Sequence, residues 1–203
     1  MHVAIAGNIG SGKTTLAELL SKHYGWKAQY ESTEDNPYIC DFYADMQRWA
    51  FHLQVYFLGR RFRQIAEIKK STLNVVQDRT IFEDAHIFAT NLHDMQLMSD
   101  SEYATYMSLF ELMNSLIAPP DLLIYLRATV PTLVRQIQRR GRDYEASIRL
   151  NYLQNLNERY ETFAKAYSHP MLIVDVDELN FSDSPHDLSE VISRVDTTIK
   201  GLF

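Results

Sequence analysis

Gly7-Asn8-Ile9-Gly10-Ser11-Gly12-Lys13-Thr14 fits the pattern G-x-x-x-x-G-K-[ST], a spacing that serves to hold phosphate. Its glycines let the backbone turn tightly and come close to an anion, and amides at a helix N-terminus point at that anion. Lys13 is then placed to reach the β- and γ-phosphates of a nucleotide, and the Thr14 hydroxyl to hold Mg²⁺.

Two further positions offer proton and charge chemistry. Asp78-Arg79-Thr80 follows an apolar run, so the acid can support Mg²⁺ through water and the arginine can neutralise a transferring phosphoryl group. Glu31 is a candidate general base able to take the proton of an attacking hydroxyl, with Glu34 and Asp35 as rivals in the same loop.

A third group is a stripe. Phe51, Gln54, Leu58 and Arg61 are spaced by 3, 4 and 3 and share one helix face. Burying Gln54 and Arg61 there is costly unless something pairs with them, and an amide and a guanidinium two turns apart can read the edge of a base. The alternative is a stripe at the rim with both groups wet. Asp84 and Phe88 stand at i and i+4, so Asp84 can pair with Arg61 and Phe88 can stack on an aromatic ligand or simply fill the core. Tyr43 and Trp49 read as core aromatics. Arg135, Arg139, Arg140 and Arg142 fall within eight residues around Gly141, as a solvated basic helix end or a lid closing over a triphosphate. The seven histidines show no metal-ligand spacing.

The elements that must position these groups follow from the apolar pattern. His2-Val3-Ala4-Ile5-Ala6 before the glycine loop reads as a buried strand, and Leu16, Leu19 and Leu20 after it keep helical spacing. Further strands are expected at 27–30, 73–77, 122–126 and 171–174. Helical periodicity covers about 45–70, 83–117, 130–140, 146–168 and 186–200, with Asn36-Pro37 and Pro119-Pro120 as punctuation. Strands alternating with helices predict a five-stranded parallel sheet flanked by helices. Ligands of such sheets sit outside the carboxyl ends of the strands, so the glycine loop, Glu31 and Asp78-Arg79 should converge on one crevice. The acidic stretch Asp175 to Asp196 reads as a solvated face.

Composition narrows the class. With 203 residues, 46% of them hydrophobic, the chain can bury a full core as one α/β domain over 1–203. A net charge of −6 disfavours a nucleic-acid polymer or a membrane surface as partner. One cysteine, Cys40, excludes an intrachain disulfide and suits a reducing compartment. No apolar run reaches the ~20 residues of a membrane span, and the first strand starts at once, without a signal peptide. The expectation is a cytoplasmic protein.

Together these residues resemble the deoxyribonucleoside kinases, particularly the bacterial deoxyadenosine and deoxyguanosine kinase branch. The resemblance runs from the first strand to about residue 165. It rests on Gly7 to Thr15, Glu31 through Asn36-Pro37-Tyr38, Asp41-Phe42-Tyr43, Arg48 to Gln54, Asp78-Arg79-Thr80 and Arg140-Gly141-Arg142-Asp143-Tyr144-Glu145. It implies a P-loop kinase fold with a helical lid at about 135–145, ATP and Mg²⁺ as cofactors, and a homodimer through the helices near 45–70 and 83–117. By resemblance, Glu31 deprotonates the nucleoside 5′-hydroxyl, Gln54 pairs with the base edge beside Arg61 and Asp84, and Phe88 stacks on the ring. Tyr43 and Glu145 would hold the sugar 3′-hydroxyl, Arg79 would stand between base and phosphates, and Arg140 and Arg142 match lid arginines. The roles of Arg135 and Arg139 stay open. Two residues depart from the family pattern: Ser32-Thr33 follow Glu31 where proline is usual, and Asp78 replaces the usual glutamate. The implied reaction is transfer of the γ-phosphate of ATP to a deoxynucleoside, with deoxyadenosine first. Its rivals are a thymidylate-like monophosphate kinase and a GTP-binding switch, whose Asn-Lys-x-Asp and Asp-x-x-Gly patterns are absent.

Overall fold

Apolar runs with polar ends build the centre of the molecule. In the computed structural model, which describes residues 1–30, 35–142, 145 and 148–201, β1 (His2–Gly7) and β4 (Leu122–Arg127) are buried along almost their whole length, and β3 (Val75–Asp78) throughout. Strands covered on both faces carry such near-continuous apolar sequence. Each fully buried Ile or Leu, such as Ile5 or Leu123, contributes roughly 1.5–3 kcal/mol by leaving water. Among the described residues five strands form one parallel sheet in the order β2-β3-β1-β4-β5, with β2 (Lys27–Gln29) and β5 (Met171–Asp175) at the edges. The expected sheet is therefore the observed one. The candidate bases Glu31 and Glu34 lie outside the described residues.

Strand order fixes where a site can form. β1 lies between β3 and β4, with Ile5 opposite Asp78 and Gly7 opposite Leu126. The loop leaving β1 and the step leaving β3 therefore open on the same edge, at the point where the winding reverses.

The helices follow from local chemistry. α1 (Lys13–Tyr24) starts on Gly12, left-handed at φ 91°, and ends at Gly25, left-handed at φ 68°. α2 (Ile39–Ala44), absent from the periodicity reading, precedes α3 (Met46–Lys70), whose start is capped by the Asp45 side chain accepting the Arg48 N–H at 3.1 Å. The stretch 83–117, expected as one helix, is two. α4 (Ile81–Glu83), a π-helical segment (Asp84–Ala89) and α5 (Thr90–Asp94) run on as one helix, the chain turns, and α6 (Asp100–Asn114) begins at a Ser99–Glu102 capping box. Apolar periodicity persists across the turn because both segments pack on a shared cluster, so only the Ser-x-x-Glu signature marks the break. α7 (Val130–Arg140) ends at Gly141, α8 is Leu150–Ala166, starting later than the periodicity suggested, and α9 is Pro185–Lys200. The acidic stretch is more than a solvated face. It buries Val176, Phe181, Val191 and Val195, and Asp177 accepts the Thr129 N–H at 2.8 Å and its hydroxyl at 3.0 Å, tying β5 to the start of α7. No described helix is long and apolar enough to cross a membrane.

Candidate active site

The glycine loop is wrapped and anchored before any ligand arrives. Lys13 Nζ donates to the carbonyls of Gly7 at 2.7 Å and Asn8 at 2.9 Å, which holds the loop curled around its own lysine. The Asn8 amide donates to the Leu153 carbonyl at 3.1 Å and to Asn157 at 3.2 Å, fastening the loop to α8. Gly10 and Gly12 are left-handed, at φ 85° and 91°. A Cβ on Gly10 would lie 2.8 Å from Ile137 Cγ1 and 2.9 Å from the Leu133 carbonyl, so the loop sits directly on α7.

At the end of β3, the Thr14 hydroxyl donates to Asp78 Oδ2 at 2.6 Å. The other carboxylate oxygen, Oδ1, is buried and makes no hydrogen bond among the described residues. A hydroxyl and a carboxylate with a spare lone pair are the hard oxygen donors that Mg²⁺ takes, so Thr14 and Asp78 fit that ion. Arg79 is left-handed at φ 70°, rare outside glycine and costing about 1 kcal/mol or more. Its guanidinium lies 4.3 Å from the centre of the Phe88 ring.

The stripe on α3 is buried. Gln54 is 3% exposed and Arg61 2%, which excludes the wet-rim alternative. Arg61 Nε donates to Asp84 Oδ2 at 3.0 Å, Nη2 reaches Oδ1 at 3.5 Å, and Nη1 donates to the Asp78 carbonyl at 3.1 Å. The expected Arg61–Asp84 pair is present. Asp84 faces the cavity and Arg61 stands behind it. Among the described residues Gln54 Oε1 has no hydrogen-bond partner, a buried acceptor on a residue that lines the cavity. Asp84 and Phe88 both line the cavity from the π-helical segment, where the Thr90 N–H bonds back to the Ala85 carbonyl.

Across the cavity, Tyr43 lines the wall and Glu145 is almost fully buried. Glu145 is paired with Arg140 through two hydrogen bonds, one at 3.1 Å, and Arg142 stands 3.5 Å from the same carboxylate. Arg139 instead forms an exposed pair with Asp183 at 2.7 Å, and Arg135 donates to Thr132 at 2.9 Å. Phosphate loop, Asp78-Arg79, the Gln54 turn of α3 and the arginine end of α7 therefore surround one cavity of about 500 Å³.

Several site residues were not foreseen. Gln136, Tyr152, Asn180 and Ser182 also line this cavity, and Phe181 covers Gly12, where an added Cβ would lie 3.2 Å from the Phe181 ring. Glu83 is fully buried beneath the loop. It was legible, since Thr80-Ile81-Phe82-Glu83 is a capping-box pattern, and that box is formed. Phe181 carried no such signal, as its role depends on where β5 ends.

A P-loop on a five-stranded parallel sheet, opening on a recess lined by Gln54 and Asp84, defines a nucleotide-dependent phosphotransferase. The deoxynucleoside kinase family model matches residues 3–200, and the chain belongs to that family. It is 34% identical over 200 residues to a deoxyadenosine/deoxycytidine kinase of Bacillus subtilis (strain 168), covering 97% of this chain and 92% of the relative. It is 38% identical over 191 residues to a deoxyadenosine kinase of Dictyostelium discoideum, covering 94% and 77%. The structure of deoxyadenosine kinase from M. mycoides with dCMP and a flexible dCDP superposes with a TM-score of 0.87 at 32% identity, covering 97% of this chain and 100% of that one. Structures of that enzyme with dCTP and dATP superpose at 0.86 and 0.85. The chain is an ATP-dependent deoxynucleoside kinase.

Proposed function

We propose that the enzyme transfers the γ-phosphoryl group of ATP to the 5′-hydroxyl of a deoxynucleoside, a purine first and deoxyadenosine before deoxyguanosine, in cytoplasmic nucleotide salvage. One observation carries the reading: a cavity joins the phosphate loop to a recess where a buried Gln54 acceptor, without a partner among the described residues, stands beside the Arg61–Asp84 pair. Gly7 to Thr15 cradle the donor phosphates with Lys13 at their distal end. Thr14 and Asp78 would hold Mg²⁺, which would supply charge neutralisation at the donor phosphates when bound. Gln54 and Asp84 read the base, Phe88 stacks on the ring, and Tyr43 and Glu145 hold the 3′-hydroxyl. Glu31, two residues beyond β2, takes the 5′-hydroxyl proton, while Arg79, Arg140 and Arg142 neutralise the transferring group as the lid at about 135–145 closes. Catalysis is then mostly positioning and charge neutralisation.

The enzyme acts as a homodimer through the helices near 45–70 and 83–117. Leu109, Leu112 and Leu116, at and just beyond the C-terminal end of α6, support this by staying exposed in a row. Size-exclusion chromatography should show twice the chain mass, and Leu112→Asp should halve it.

The deciding experiment is kcat/KM for the four deoxynucleosides with ATP·Mg²⁺. Deoxyadenosine is expected to be highest. The dual name of the B. subtilis relative makes deoxycytidine the instructive competitor, and its lead would overturn the purine assignment. Activity confined to monophosphate acceptors would instead mark a thymidylate-like kinase, and tight guanine-nucleotide binding without transfer a switch.

A further inference from the structure

Glu83 has no part in the scheme above, yet it sits between the phosphate loop and the step that leaves β3. Its carboxylate is fully buried and accepts four hydrogen bonds. Oε1 receives the Gly7 N–H at 3.2 Å and the Tyr160 hydroxyl at 2.9 Å. Oε2 receives the Thr80 N–H at 2.7 Å and the Thr80 hydroxyl at 3.0 Å. Gly7 opens the phosphate loop, and Thr80 N–H belongs to the peptide that follows the left-handed Arg79. Tyr160 lies on α8, the helix to which Asn8 is also tied.

Local capping accounts for the two bonds from Thr80, of which the capping box needs only the one from its N–H. The other two, to Gly7 and Tyr160, reach elements 76 and 77 residues away in sequence. The Gly7 and Thr80 N–H groups can only donate, one to each oxygen, and the anion accepts from both of them and from the two hydroxyls at once. Burial pushes the carboxyl above its ordinary value, and the charges of Arg79 and Lys13, the Thr80 amide and the Tyr160 hydroxyl oppose it, with the Tyr167 hydroxyl also facing the group.

We propose that Glu83 is a positioning residue for phosphoryl transfer: one carboxylate clamps the entrance of the phosphate loop to the peptide that aims Arg79, and α8 braces the clamp through Tyr160. It touches neither nucleotide nor nucleoside. It sets the distance between the loop that holds the donor and the arginine that meets the transferring group. The proposal rests on the kinase reading of the cavity.

Glu83→Gln is nearly isosteric but turns an NH₂ group toward two of the four donors. With the wild-type chain assayed alongside, the variant should keep KM for ATP and nucleoside within about threefold and lose at least ~10-fold in kcat, the signature of an interaction needed in the transition state. Combined with Arg79→Lys, its loss should be smaller than the product of the two single losses, because both act on the same geometry. A folded Glu83→Gln variant with kcat within twofold of wild type, a loss confined to KM, or multiplicative losses with Arg79→Lys would each overturn the proposal. If Glu83→Gln does not fold, Tyr160→Phe decides. That variant keeps the carboxylate and should lower kcat at least ~3-fold at unchanged KM; wild-type kcat there overturns the clamp. A wild-type chain that phosphorylates no deoxynucleoside would sink the kinase reading itself, a result separate from these.

Discussion

Each polar side chain in this cavity is either paired by the fold or left open toward a ligand, and the difference predicts what its removal does. Glu31→Gln should lower kcat by at least ~10²-fold while nucleoside binding, followed by calorimetry, largely survives. Near-wild-type turnover would remove Glu31 from the role of base. The Arg61–Asp84 pair is held by two contacts in a place that water does not reach. Asp84→Asn alone should cost about 1.5–3 kcal/mol in urea unfolding, because it removes the charge from a buried acceptor of the Arg61 guanidinium. Arg61→Met with Asp84→Leu should cost less than that single change, and should alter the ratio of kcat/KM between deoxyadenosine and deoxycytidine. An unchanged ratio in the double variant would show that the pair does not select the base. Both members were legible from spacing, since Arg61 lies on the Gln54 face and Asp84 is one of the few acids able to answer it. Glu83 was missed because its significance lies in partners far away in sequence.

Elements position these residues through contacts that tolerate little change. The glycine loop rests on α7 at Gly10, whose φ of 85° is left-handed and whose missing Cβ makes room for the Leu133 carbonyl. Gly10→Ala adds about 1–2 kcal/mol of backbone strain to that clash, so KM for ATP should rise at least ~10-fold while the nucleoside dissociation constant stays put. An unchanged KM for ATP would show that the loop can shift away from α7 without loss. The π-helical segment plays the matching part on the other wall, presenting both Asp84 and Phe88 to the cavity. Helical periodicity indicated a helix there but neither the π geometry nor the stop before Ser99. Those depend on packing against α3, α6 and α8, which a repeating apolar pattern does not encode.

At the scale of the whole molecule, the sheet that aims the cavity also carries a pH-sensitive joint. His2, at the start of β1, meets Gln77 at 2.8 Å, and burial pushes its imidazole below the ordinary value of 6.5, partly opposed by Gln77 and the charge of Asp121. The unfolded chain therefore binds a proton more readily than the folded one. The stability this contributes is complete above pH 6.5 and is lost as pH falls through the lower folded value. Melting temperature should drop between pH 7 and 5, by roughly 2–4 °C for each kcal/mol lost, and His2→Gln should flatten the slope. An unchanged slope would place the acid sensitivity elsewhere. By itself the sequence determined the alternation of five strands with helices, the phosphate loop, and the residue types gathered at the strand ends, because these depend on local spacing and on the rule that parallel strands expose one working edge. Tertiary structure alone decided that Gln54 and Arg61 are buried, that Glu145 is held by Arg140, that Phe181 covers Gly12, and that Glu83 joins the loop to Arg79. Each of those depends on contacts between residues distant in the chain, and no period or motif carries that information.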